Sequence, residues 1–436
     1  MPNYQETRIK GMRRDGLWRS RECSGRSVPS VTIGMTWLTG LIVVVLWSLA
    51  TPVVAAEPSS SGPQEEHRKV ELGEPPLETA PAETPLWHYG GFVDLGYSLD
   101  FNFPANHLFQ NRSTTPRVNE LDLNMGGVYV RKDVSIQSRW GMELLAHGGQ
   151  DAKEFGFAVN TPRVGSSDQL RHFGRANVSY LAPVGNGLTV QAGLFNSLIG
   201  YESLYAKNNF NYTRAWIADY SPYLMFGINA SYPFNDKLTG TLFVISEYFH
   251  LANSNSLPSY GGQLAYKPTQ GWTIKETVYF GPDQADTALK FWRQFLDTII
   301  EWRGDTVTVA LEHQIGTENI ARVPGSPRAF YTGAAAPVRW NIHGLWSVAV
   351  RPEIYWDRNG RLTGFEQLIK AMTTTLEYRV PYKWTNTILR LEHRYDESTG
   401  VGGGFFKGNE ISPGVIGLTP TQHLLIFSAI WTFDSP

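Results

Sequence analysis

The chain has 436 residues, 42% of them apolar, 13% aromatic and 18% charged, with a formal net charge of −2. That balance leaves no basic face for nucleic acid, and its single cysteine, Cys23, gives neither a disulfide nor a thiolate metal site. A mean hydropathy of −0.25, with one uncharged stretch of membrane-spanning length, excludes a bundle of transmembrane helices.

That stretch, residues 31–56, follows Arg13, Arg14, Arg19, Arg21 and Arg26 and ends in Val54, Ala55 and Ala56. Basic, then apolar, then small residues is the order of a secretory leader, so residues 1–56 read as a signal peptide cleaved near Ala56. A retained anchor helix is the competing reading. Residues 57–86 hold seven glutamates, six prolines and no aromatic residue. Such a segment buries too little surface to offset its ordering entropy, and reads as a disordered acidic linker. No second break in composition follows, so residues 87–436 read as one domain.

From Trp87 onward the chain alternates apolar and polar residues with a period of two. Val93, Leu95, Tyr97, Leu99 and Phe101 interleave with Asp94, Gly96, Ser98 and Asp100. Residues 120–130 place Leu121, Leu123, Met125 and Tyr129 opposite Glu120, Asp122 and Asn124. Residues 134–144 set Val134, Ile136, Trp140, Met142 and Leu144 against Gln137, Arg139 and Glu143. Residues 306–314 and 388–396 repeat the pattern, the latter with Leu389, Leu391 and Tyr395 opposite Arg390, Glu392, Arg394 and Asp396. The final segment, 421–433, gathers Leu425, Phe427, Ala429, Trp431 and Phe433 on one face. Residues 238–249 fit poorly, because both faces are apolar.

The connections alternate in length. Long ones fall at 102–117, 148–168, 196–221, 250–259, 281–290, 316–337, 358–365 and 397–420, and short ones lie between them. Long loops at one end and short turns at the other is the habit of membrane barrels. A Greek-key sandwich has no reason to alternate so regularly. The expected fold is all-β: a closed antiparallel transmembrane barrel of about 16 strands, with long external loops and short periplasmic turns. Reading residues 338–357 as one bent strand would give fourteen strands instead. Closure is required, since an open edge in lipid leaves backbone groups unpaired at several kcal/mol each.

The inward charged residues Arg139, Glu143, Glu312, Arg390, Glu392, Arg394 and Asp396 are candidates to line a pore, as charged rings do in selective channels. Simple pairing within a wet lumen is the plainer reading of each. The aromatic-rich segment 196–221 is the longest loop, and loops of that length are usually functional. Folded inward it would form a constriction lined by Glu202, Lys207, Arg214 and Asp219. No G-x-S-x-G, H-E-x-x-H or phosphate-cradling motif occurs, so no catalytic residue, metal ligand or cofactor is assigned.

Several segments together carry a family resemblance. They are Gly91-Phe92-Val93-Asp94, Asn119 to Asn124, Ala182 to Leu188, Ile199-Gly200-Tyr201-Glu202, Asn209 to Arg214 and Tyr232 to Leu238. On these residues the chain resembles the beta-barrel porin-2 (OmpL-like) family of bacterial outer-membrane proteins over residues 87–433. One departure is that Asp434-Ser435-Pro436 follows Phe433, where such barrels usually finish on an aromatic residue. The resemblance implies a non-enzymatic outer-membrane porin passing small polar solutes or ions passively. Its partners would be outer-membrane lipid and the solutes, with a homotrimer as the expected assembly. The alternatives are a barrel enzyme acting on lipid and a secreted glycan-binding β-protein.

Overall fold

The computed structural model describes residues 87–153, 167–249, 251, 257–284, 288–321, 323–400 and 402–435. The expected signal peptide and linker lie outside the described residues. The first strands are β1 (Trp87–Asp100), β2 (Leu121–Lys132), β3 (Trp140–Gly148), β4 (Phe173–Ala182), β5 (Leu188–Asn196) and β6 (Leu224–Asn235). They continue through β7 (Leu238–Ile245), β8 (Ser259–Tyr266), β9 (Trp272–Gly281), β10 (Arg293–Arg303), β11 (Val307–Asn319), β12 (Arg328–Ala335) and β13 (Val338–His343). The last are β14 (Trp346–Asp357), β15 (Gln367–Tyr382), β16 (Thr385–Thr399), β17 (Phe405–Ser412), β18 (Val415–Thr419) and β19 (Thr421–Asp434).

Neighbours pair antiparallel in chain order, and β1 closes the sheet by pairing with both β2 and β19. In the closing seam Gly90 faces Asp434 and Asp100 faces Leu424. β12 and β13 are two halves of one barrel position, since both lie between β11 and β14. Pro337, which has no N–H to give a ladder, marks their break, while its carbonyl still accepts from Ala310 at 2.9 Å. β17 and β18 form a separate hairpin in the last long loop. The barrel therefore has sixteen strands, and the turn at 344–345 resolves the fourteen-strand alternative.

Faces follow the alternation. In β1, Val93 and Leu95 are exposed to the outside while Asp94, Ser98 and Asp100 are buried inside. In β16, Leu389 and Leu391 face out; Arg390, Glu392, Arg394 and Asp396 face in. No described helix is long and apolar enough to cross a membrane, and the crossing is made by strands. Aromatic side chains crowd the short-turn rim, among them Trp140 beside Tyr180 (ring centroids 4.6 Å) and Trp346 beside Tyr378 (4.5 Å). This is the amphipathic girdle expected at a lipid–water interface.

Three segments differ from the sequence-based expectation. Asp94 pairs with Met125 and Leu95 with Leu123, so Asn124 is an extra residue in a β-bulge. The bulge reverses the phase, turning Met125 and Tyr129 inward and Val128 outward. Residues 133–139 form a turn rather than the start of a strand, because Ser135 and Ser138 bond each other through backbone and hydroxyl groups. Arg139 therefore sits in that turn, donating to the Leu181 carbonyl at 3.2 Å, instead of on a strand wall. Finally, β11 reaches Asn319 and β12 starts at Arg328, so the loop expected at 316–337 is shorter.

Candidate functional site: a loop folded into the barrel

The segment between β5 and β6, residues 197–223, enters the barrel and packs against its far wall. Tyr212, Trp216, Ile217 and Ala218 are buried there with Ile369, Ile388, Leu424, Ile426 and Ile430. A second apolar group joins Ile199 to Phe243, Ile245, Tyr279 and Phe295. Here lies the reason residues 238–249 are apolar on both faces: the outer one meets lipid, the inner one meets the loop.

A buried loop must find a partner for every backbone N–H and C=O. Charged side chains from the wall supply them. Glu392 accepts the N–H of Tyr212 at 2.5 Å and of Thr213 at 2.9 Å. Glu202, itself in the loop, accepts the N–H of Ala215 at 2.5 Å, and Glu353 that of Trp216 at 2.7 Å. The last two amides open the helical turn Trp216–Asp219, where carboxylates are favoured. On the carbonyl side, Arg390 donates to Ala206 (2.8 Å) and Asn209 (2.7 Å), Arg351 to Thr213 (2.6 Å), and Arg394 to Arg214 (3.0 Å).

The ion pairs knit this frame together. Arg351 bridges Glu202 (2.5 Å) and Glu353 (3.0 Å); Arg394 bridges Glu353 (3.1 Å) and Asp396 (2.8 Å). Trp216 Nε1 also donates to Asp396 at 2.7 Å. Near the loop start, Gly200, at φ 94°, gives its N–H to Asp297 at 2.8 Å, and the Tyr201 hydroxyl bonds Glu301 at 2.8 Å.

Each candidate residue has a definite place. Glu143 faces in and pairs with Arg175 at 2.9 Å. Glu312 is buried and accepts from Gln314 at 2.7 Å. Arg390, Glu392, Arg394 and Asp396 are all at most 4% exposed, engaged by the loop rather than by solvent. In the loop, Glu202 meets Arg351, and Lys207 lies 5.3 Å from the centre of the Phe92 ring. Asp219 meets Arg112 at 2.8 Å and accepts from Thr114 and Tyr223. Arg214 pairs with Asp151 at 3.1 Å. Burial pushes the Asp151 carboxyl up to about 7, against the opposing pull of Arg214.

The sequence reading missed Arg112, Asp151, Arg351, Glu353 and Glu377. Alternation along β14 puts Arg351 and Glu353 on one face, which was a usable signal. Arg112 lies in a loop and Asp151 in the short helical turn Gln150–Lys153, where no strand periodicity marks an inward side chain.

The inner face of β4 to β8 is different. Asn177, Ser179, Thr189, Gln191, Asn229, Ser231, Thr241 and Gln263 line it, and Ser179, Gln191, Ser231 and Gln263 remain half-exposed. Gln191 donates to Asn177 at 3.0 Å and accepts from Asn229 at 2.9 Å, forming a chain of amides across three strands.

A closed sixteen-strand sheet, greasy outside and holding an inserted loop within, defines an outer-membrane β-barrel of the porin class. The chain belongs to the beta-barrel porin-2, OmpL-like family, which matches residues 87–433. Among solved structures it is similar to Salmonella typhi OmpF in complex with daunomycin, with a TM-score of 0.52 and 10% identity over 80% of this chain and 98% of that one. The outer membrane channel DcaP of Acinetobacter baumannii gives a TM-score of 0.48 at 10% identity, covering 80% of this chain and 96% of that one. An anion-selective porin from Comamonas acidovorans gives 0.48 at 10% identity, covering 81% and 100%. No curated protein matches the sequence.

Proposed function

We propose that this porin lets small polar solutes cross the outer membrane passively, between the inserted loop and the short-turn half of the inner face of β4 to β8. The observation that carries this reading is the asymmetry of the interior. On the strand wall the loop's bonds to charged groups lie on β1, β10 and β14 to β16. The arc from β4 to β8 offers only the uncharged Gln263, which donates to the Leu198 carbonyl at 2.6 Å, and keeps Ser179, Gln191 and Ser231 half-exposed. No cofactor or reaction enters the account. On the outer face, His393 and His423 stand 3.4 Å apart, but their cross-strand partners are Thr374, Leu425 and Tyr395, which offer a lipid-cleaving reaction no serine nucleophile.

Export through a leader cleaved near Ala56, and assembly as a homotrimer, belong to the same proposal. N-terminal sequencing and sedimentation of the detergent-purified protein test them. The function itself is tested by reconstituting the folded chain in a planar bilayer. Stepwise conductance is expected, and its absence from heat-modifiable material would falsify the channel reading.

A further inference from the structure

We infer that the open part of this conduit serves uncharged, hydroxyl-bearing solutes rather than ions, an inference that rests on the channel reading above. Four consecutive strands, β5 to β8, contain no Asp, Glu, Lys or Arg. In register, Ser179, Gln191 and Asn229 form one row of the inner face, and Thr189, Ser231, Thr241 and Gln263 form the next. Every one of these side chains is a hydrogen-bonding group without charge.

Charged side chains of the flanking strands stand at the edges of this arc. Glu143 and Arg175 neutralise one another on one side, and Lys275 of β9 stands on the other. Across the lumen, Arg351, Glu353, Arg390, Glu392, Arg394 and Asp396 are buried and bonded to the loop or to each other, while Arg379, 27% exposed, is neutralised by Glu377 at 3.2 Å. Rings of free charge give pores their ionic preference; this arc presents dipoles instead. Side-chain amides and hydroxyls both donate and accept. They can therefore replace the water around a small polyol or sugar, whereas an ion passing here meets no compensating charge.

Two measurements on the full-length folded protein test the inference. In proteoliposome swelling, glucose is expected to enter faster than gluconate or glucosamine, solutes of similar size that differ in charge. Under a KCl gradient the parent is expected to give a zero-current potential near zero. Gln191→Glu should then shift the permeability ratio toward cations, and Gln191→Lys toward anions, each by about fivefold. Ser231→Asp and Ser231→Lys read the same wall should the Gln191 variants not fold. A conducting parent with strong ion preference, or conducting variants with an unmoved potential, would overturn the inference. A parent that folds without conducting would instead strike the channel reading.

Discussion

Glu392 holds Thr213 twice. Its Oε1 accepts both the backbone N–H, at 2.9 Å, and the hydroxyl, at 2.5 Å, of a residue 179 positions earlier in the chain. The inserted loop is fixed to the wall as a rigid body is, by its backbone, and the first expectations concern that attachment.

Glu392→Ala leaves the N–H groups of Tyr212 and Thr213 unpaired in a buried site, and leaves Arg394 short of negative charge. Leaving a buried donor without its acceptor costs on the order of 1–3 kcal/mol for each group. The heat-modified transition should fall, and the single-channel conductance should rise and become noisy as the loop loosens. An unchanged conductance in folded variant would show that the loop does not bound the path.

Arg390 and Arg394 act on the fold more than on ion preference. Arg390→Met removes the donors to Ala206 and Asn209 and takes from Glu377 its partner at 2.7 Å, leaving it Arg339 at 2.9 Å and Arg379 at 3.2 Å. The yield of folded barrel should drop, while the zero-current potential of the surviving folded fraction stays where it was. A clear change of ion preference at normal yield would place this side chain in the conducting path.

Asp151 gives the pH expectation. Its carboxyl is raised from 3.8 to about 7 by burial. Between these values the folded chain keeps a proton that the unfolded chain releases, so this group's contribution makes stability fall as pH rises through the window. Asp151→Asn removes that slope, and the parent should lose stability relative to the variant by up to a few kcal/mol from about pH 4 to about pH 7. Thermal unfolding of both proteins across that range measures the difference; parallel curves would refute it.

Leu391 tests the outer surface. At 41% exposure in the middle of β16 it would tolerate arginine in a water-soluble protein. Facing hydrocarbon, Leu391→Arg should cost about 2–4 kcal/mol. Urea-induced unfolding in lipid vesicles gives the number, and a cost near zero would mean that the strand faces water.

Strand existence was legible from the period of two, because lipid on one side and polar groups on the other impose it on residues such as Val93 to Asp100. Loop insertion was legible from length and aromatic content. Two things were not. The bulge at Asn124 depends on how β1 and β2 pair, which no single strand encodes, so Met125 and Tyr129 read as outward. The role of the charges was hidden as well. Arg390, Glu392 and Arg394 alternate with leucine whether they face water or loop backbone, and only the fold of residues 206–216 tells which. Conversely, Leu424, Ile426 and Ile430 look out of place on an inner face until Trp216 and its neighbours are seen to cover them.

The attachment points of the loop also impose an order on assembly. Residues 206–216 lie near the middle of the chain, yet their partners Arg351, Glu353, Arg390, Glu392 and Arg394 are in strands that follow much later. Until those strands are in the sheet, the amides of Tyr212, Thr213 and Trp216 and the carbonyls of Ala206, Asn209 and Thr213 lack the side chains that bond them. Seating the loop is therefore a late event, coupled to the seam between β1 and β19, and a truncated or unclosed sheet would be left without its internal keystone.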